Sequence, residues 1–113
     1  MLVTKVFSFD GAHKLLNYNG KCENLHGHTW TLHVTVDAKV DESGIAFDFA
    51  ELKKIVEDNV LDVLDHSYIN EVIEHPSAEN IALWMWGRLE GTIPIFEVKV
   101  FETPTSFVTY RGD

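Results

Sequence analysis

The segment from His28 to Asp37 constrains the fold more than any other. Positions 28, 30, 32, 34 and 36 read His, Trp, Leu, Val and Val, while 29, 31, 33, 35 and 37 read Thr, Thr, His, Thr and Asp. Successive side chains of an extended chain point to opposite faces, so this pattern gives one apolar and one polar face. Its β-branched residues stiffen the backbone in that conformation. The result is a half-buried antiparallel strand that needs a partner. Residues 1–10 supply one: Val3, Phe7 and Phe9 point one way, Thr4, Ser8 and Asp10 the other, with Lys5 at the rim of the apolar face. A length of 113 residues with 45% hydrophobic and 12% aromatic residues makes a single packed domain, 1–113.

Two helices and two more strands follow from local signals. Asn17-Tyr18-Asn19-Gly20-Lys21 is turn chemistry, and Asp41-Glu42-Ser43-Gly44 reads as a hairpin connection to a short strand, Ile45–Phe47. Asp48 and Glu51 form a capping-box variant before an amphipathic helix over 49–64, with Phe49, Leu52, Val56, Val60 and Val63 at helical spacing. Pro76 and Ser77 open a second helix, with Ser77 as N-cap and Gly91 as the stop. Its middle, Ile81 to Trp86, is apolar around nearly the whole circumference, which predicts cover from a sheet and from another helix or subunit. A third strand after Pro94 carries Phe96, Val98, Val100 and Glu102 on one face, and Thr105 to Tyr110 reads as a fourth. Grouped helices between strands predict an α+β fold with an antiparallel sheet.

Charge and cysteine usage exclude several functions. A formal net charge of −9 argues against nucleic acid, whose phosphates need clustered Lys and Arg. The longest apolar run, Ile81 to Trp86, is far too short to span a bilayer, and the N-terminal residues lack a signal-peptide shape. The single cysteine, Cys22, permits no intrachain disulfide and fits a reducing compartment. The expected location is the cytoplasm.

His26-Gly27-His28 enters the long strand with both imidazoles on one face, within reach of one metal ion. The alternative is two partly buried histidines bonded to backbone carbonyls. If the first two strands pair antiparallel, His13 at the end of one meets His26 and His28 at the start of the other, giving the three ligands of an open catalytic zinc site. Cys22 is a fourth ligand, a thiolate held near the metal, or an inert buried thiol. Asp65-His66 is either an oriented proton shuttle, if His66 lies past the helix end, or a histidine complementing the helix dipole. Glu102 continues an apolar face and either reaches solvent or pairs with two adjacent N–H groups, such as a 2-amino-4-oxo pyrimidine edge. Glu79 sits in the first turn of the second helix, where a negative charge is favourable.

Phe9 to His13, Lys21-Cys22-Glu23-Asn24-Leu25-His26-Gly27-His28, Asp48 to Lys53, Leu64-Asp65-His66, Pro76 to Asn80, Phe101-Glu102-Thr103 and Tyr110-Arg111-Gly112 together resemble the 6-pyruvoyltetrahydropterin synthase family, in order and over essentially the whole chain. Three residues between Cys22 and His26 look like its 6-carboxy-5,6,7,8-tetrahydropterin synthase branch, of queuosine and preQ0 biosynthesis. Departures are Thr29-Trp30 after His28, Ser77 where Thr is common, and Ile69 in place of Leu. The resemblance implies the tunnelling fold: a four-stranded antiparallel sheet with two helices on one face, three sheets joining into a barrel, and two trimers stacking into a homohexamer with active sites between subunits. It further implies Zn²⁺ on His13, His26 and His28, Cys22 as proton acceptor, and Asp65, His66 and Glu102 in proton relay and pterin anchoring. Glu79, Ser77 and Ala78 fall where the family lines its pterin pocket. The implied substrate is 7,8-dihydroneopterin triphosphate, converted to 6-carboxytetrahydropterin, acetaldehyde and triphosphate. Attracting that polyanion to an acidic protein requires a local basic patch, for which Lys14, Lys21 and Arg111 are the candidates.

Rival readings are a 6-pyruvoyltetrahydropterin synthase, which eliminates triphosphate without cleaving the carbon chain, and a non-catalytic zinc-stabilised oligomeric module with Cys22 as fourth ligand. A cupin-like dioxygenase also uses His-x-His, but His33 stands where its Glu would be.

Overall fold

A computed structural model describes residues 1–15 and 24–113. The expected turn at 17–21, Lys21 and Cys22 lie outside the described residues. In chain order come β1 (Leu2–His13), β2 (His26–Asp37), α1 (Phe49–Val56), a π-helical turn (Glu57–Leu61), α2 (Asp62–Leu64), β3 (Ser67–Tyr68), a 3₁₀ turn (Ile69–Glu71), α3 (Ala78–Leu89), β4 (Ile95–Thr103) and β5 (Ser106–Tyr110).

The sheet runs β3-β1-β2-β4-β5, with every pairing antiparallel except the two-residue parallel contact of β3 with β1. The expected four-stranded antiparallel sheet is therefore a mixed five-stranded one. Ser67–Tyr68 is too short to carry a period-2 signal, so it was invisible to pattern reading. β1 and β2 pair without interruption from Leu2↔Asp37 to His13↔His26. Phe7, Phe9, Trp30, Leu32, Val34, Val36, Val98 and Val100 all face one buried cluster, which the helices cover from a single side.

Asp48 caps α1, its Oδ1 accepting the Ala50 N–H at 2.8 Å. Residues 49–64 run on as one helical path, as the periodicity predicted, but the buried stripe is Leu52, Val56, Val60 and Leu64. A strict spacing of four drifts around an α-helix of 3.6 residues per turn. The wider π turn takes up that drift, which brings Leu64 inward in place of Val63. Phe49, expected on the core face, is 60% exposed. On α3, Ile81, Ala82, Met85 and Leu89 bury against the sheet, Trp84 and Trp86 are half-buried, and Leu83 faces outward. Among the described residues the helix is thus covered on one side. Gly112, at φ +84°, passes so close to Trp86 that a Cβ there would lie 2.6 Å from the indole, which pins the C-terminal tail against α3.

Ile45–Phe47 is not a strand. Asp41 Oδ1 accepts bonds from the Ser43 and Ile45 N–H groups and the Ser43 hydroxyl, so the segment folds back on itself. These bonds, the hydroxyl's foremost, hold the Asp41 carboxyl below its ordinary range. Leu52→Ala should therefore cost about 2–5 kcal/mol in urea unfolding, while Ile45→Ala should stay within about 0.5 kcal/mol. A large cost at Ile45 would mean the loop packs as a strand after all.

Candidate active site

The unbroken β1–β2 register sets His13 opposite His26 and Gly11 opposite His28. All three imidazoles lie on the core face at the end of the hairpin, their ligand atoms within 4.8 Å of one another. His13 is fully buried. Its Nδ1 lies 2.8 Å from the Pro76 carbonyl, and His26 Nδ1 lies 2.8 Å from the Asn24 carbonyl. A carbonyl only accepts, so both Nδ1 atoms carry the proton and both Nε2 atoms present lone pairs. Those lone pairs meet at 2.9 Å. Two acceptors repel at that distance unless a cation or proton lies between them. Tetrahedral zinc with bonds of about 2.0–2.1 Å sets its nitrogens about 3.3 Å apart, so the donor set fits such an ion. The carbonyls of Pro76 and Asn24 are the outer partners that fix ligand orientation in metal sites.

Trp30, wholly buried, stands edge-on to His13 and His28 at 5.0 and 5.4 Å between ring centroids, its Nε1 donating to the Gly11 carbonyl. The strand alternation puts Trp30 on the histidines' face and backbone carbonyls are the expected partners of the alternative reading, but which carbonyls, Pro76 and Asn24, depends on which backbone atoms the fold brings near. Glu102 reaches the cluster as well, with Oε2 3.8 Å from His13 Nε2 and Oε1 3.8 Å from His28 Nε2. It does not simply run out into solvent.

Two depressions flank the histidines. One, of about 440 Å³, is bordered by His26, Glu102, Ser77, Ala78 and Glu79, so four predicted pocket residues meet there. Ser77 caps α3 as expected, its Oγ accepting the Asn80 N–H at 3.1 Å. The other, of about 520 Å³, has His28 and His66 on its walls. His66 lies past the end of α2 with φ 58°, the one positive-φ residue other than glycine among the described residues. Such backbone costs of order 1–3 kcal/mol and is held by specific bonds. The His66 N–H donates to the Asp10 carbonyl at 2.6 Å, and Asp65 Oδ1 lies 3.0 Å from His66 Nδ1. The Asp10 N–H donates to the same Asp65 oxygen at 3.1 Å. That bond chiefly, with His66 pulling the same way, holds the Asp65 carboxyl below its usual range.

The basic candidates fare unevenly. Lys14 is anchored by its main chain, whose N–H and C=O both bond the Asn70 amide at 2.9 and 2.8 Å. Arg111 is paired with Glu97 at 2.8 Å, so most of its charge is spent within the chain.

An antiparallel-dominated sheet with helices on one face, and a three-histidine cluster beside an acid-lined depression, define an α+β enzyme class with a candidate histidine metal site. A sequence model described as 6-pyruvoyl tetrahydropterin synthase matches residues 2–113. The chain is 36% identical to the 6-carboxy-5,6,7,8-tetrahydropterin synthase of Haemophilus influenzae over 137 aligned residues, covering 96% of this chain and 97% of that protein. It is 31% identical to the human 6-pyruvoyl tetrahydrobiopterin synthase, covering 98% and 91%. The solved structure of the Caenorhabditis elegans 6-pyruvoyl tetrahydropterin synthase superposes with a TM-score of 0.88 at 30% identity, covering 100% and 96%. The protein belongs to the 6-pyruvoyl tetrahydropterin synthase family.

A depressed carboxyl stabilises the fold above its ordinary titration range, and that contribution is lost as pH falls through the depressed value. Asp65→Asn should therefore lower the melting temperature at pH 7, with the gap to wild type closing below about pH 4. An equal gap at pH 7 and at pH 3 would contradict the Asp10–Asp65 bond. His28→Ala should abolish divalent-metal binding measured by equilibrium dialysis, and unchanged metal content would refute the three-histidine site.

Proposed function

We propose that this protein is a zinc-dependent 6-pyruvoyl-tetrahydropterin-synthase-type lyase acting on 7,8-dihydroneopterin triphosphate. The observation that carries the reading is the pair of facing Nε2 lone pairs, completed by His28, beside a depression bordered by Glu102 and Glu79. His13, His26 and His28 would hold the ion, which would supply Lewis acidity to the substrate's side-chain hydroxyls and so acidify the adjacent C–H. Glu102 accepts the two neighbouring N–H groups of the pterin's 2-amino-4-oxo edge and so fixes the ring. Glu79, Ser77 and Ala78 shape the rest of that pocket. Cys22, assigned from the sequence alone, accepts a proton from the side-chain carbon as a thiolate. His66, its ring held by Asp65, moves a second proton. Triphosphate leaves, with Lys14 and Lys21 offering it positive charge.

Elimination without carbon loss accords with the family description and with the human and nematode relatives. The second reading adds one molecule of water and a retro-aldol-type cleavage: the water oxygen becomes the second carboxylate oxygen on the ring-side carbon, the two outer carbons leave as acetaldehyde, and 6-carboxytetrahydropterin remains; the Haemophilus influenzae relative favours it. The working unit in either case is a homohexamer of two trimers with sites between subunits. The outer edge of β5, unpaired among the described residues, and outward-facing Leu83 agree with such partners.

Incubation with 7,8-dihydroneopterin triphosphate and mass analysis tests the reading. A pyruvoyl product retaining every side-chain carbon is expected; acetaldehyde with a 6-carboxy pterin establishes the second reading, and no conversion refutes both. Cys22→Ala should keep its zinc and lose about 10²–10⁴-fold in rate, the usual worth of one positioned acid–base group. Loss of zinc together with melting temperature would instead make Cys22 a fourth ligand and the centre structural.

A further inference from the structure

The β1–β2 ladder ends at His13↔His26, and the parallel contact of β3 with β1 ends one position earlier, at Ala12↔Tyr68. Candidate ligand His13 is therefore the last paired residue of its strand, the place where a ladder opens most easily. The residue after it is nevertheless held. The Lys14 N–H donates to Asn70 Oδ1 at 2.9 Å, and Asn70 Nδ2 donates to the Lys14 carbonyl at 2.8 Å. A side-chain amide carries the same donor and acceptor as a peptide unit, so Asn70 stands in for a further strand residue beyond β3. The clamp is itself anchored. Ile69, fully buried, packs so close to Gly11 that a Cβ there would lie 3.0 Å from Ile69 Cδ1.

The clamp bears on His13 through rigid geometry. The Lys14 N–H belongs to the planar peptide unit that begins at the His13 Cα, so a bond to it restricts rotation about ψ of His13. The Pro76 carbonyl holds the other end of the same residue, at the imidazole Nδ1. Main chain and ring are thus fixed from two different segments, with Nε2 set 2.9 Å from His26 Nε2. Without a cation or proton between them those lone pairs repel, which drives the end of the hairpin apart. A clamp that resists this opening before an ion arrives lowers the ordering cost of binding it.

We propose that Asn70 is a positioning residue for the three-histidine site, holding His13 in its ligating geometry through the Lys14 main chain. This rests on the metal reading of the histidines, and the experiment separates the two. Zinc affinity of the full-length protein is measured by competition with a chromophoric chelator, beside the melting temperature of the metal-free protein. Asn70→Ala and Asn70→Leu, which lose both bonds, should each bind zinc about 10-fold more weakly, the lower end of what outer partners of metal ligands contribute. Asn70→Asp still accepts from the Lys14 N–H but donates nothing to the carbonyl, and should recover part of the affinity. In metal-free Asn70→Leu the His13 amide should exchange faster than in wild type, with Leu32 and Val34 unchanged. Leu52→Ala controls for stability: it should lower the melting temperature while keeping zinc affinity within about twofold of wild type.

Unchanged zinc affinity in Asn70→Ala and Asn70→Leu would overturn the inference, whatever their melting temperatures, and so would an unchanged His13 exchange rate. Full affinity in Asn70→Leu alone would overturn it in favour of packing by the side chain's bulk. An equal loss in Leu52→Ala would overturn it in favour of general destabilisation. No zinc binding by wild type would refute the three-histidine site and the inference with it, whereas wild-type binding that survives every Asn70 substitution would sink the inference alone.

Discussion

The antiparallel pairing of β1 with β2 is the contact on which the rest depends. A shift of one residue along that ladder would turn every side chain of one strand to the opposite face. Trp30, Leu32, Val34 and Val36 would leave the core, and His28 would leave the side on which His13 lies. The apolar alternation that drives burial is thus also what assembles the candidate metal ligands. Each of the buried side chains contributes about 1.5–3 kcal/mol, so the register is specified far more strongly than any single bond at the site could specify it. The site sits where that pairing ends, at His13↔His26.

The hairpin end alone does not make a centre of defined geometry. The Pro76 carbonyl, from the segment ahead of α3, orients His13, while the Asn24 carbonyl orients His26 from its own strand entry. Ser77 caps the helix that follows, so one turn both starts α3 and fixes a ligand. Asp10 plays the matching part on the other side: its carbonyl and N–H hold His66 and Asp65 in a backbone conformation that histidine rarely adopts. Substitutions at Pro76 or Asp10 would act on the site through the main chain rather than through their own chemistry.

Much of this was legible in the sequence because period and spacing are local. The alternation at 28–37, the Asp48 and Ser77 caps, and the meeting of His13 with His26 and His28 follow from rules that need only neighbours in the chain. What was not legible depends on tertiary placement. Ser67–Tyr68 becomes a strand only because Gly11 and Ala12 lie beside it. The π turn at Glu57–Leu61 reshapes the helical stripe by an amount no 3.6-residue wheel contains. Arg111 is a candidate for a polyanion by sequence but lies against Glu97, and Lys53 and Lys54 are likewise matched by Glu57 and Asp58. Charge counting finds the cations but not which of them are already neutralised.

The proposed site is an ion held by three imidazoles with a position left open to substrate. X-ray absorption at the zinc edge of the purified full-length protein tests this most directly. Three nitrogen scatterers at about 2.0–2.1 Å, completed by a light oxygen and with no sulfur shell, are predicted. A sulfur scatterer at about 2.3 Å would place Cys22 on the metal, close the fourth position, and contradict the account.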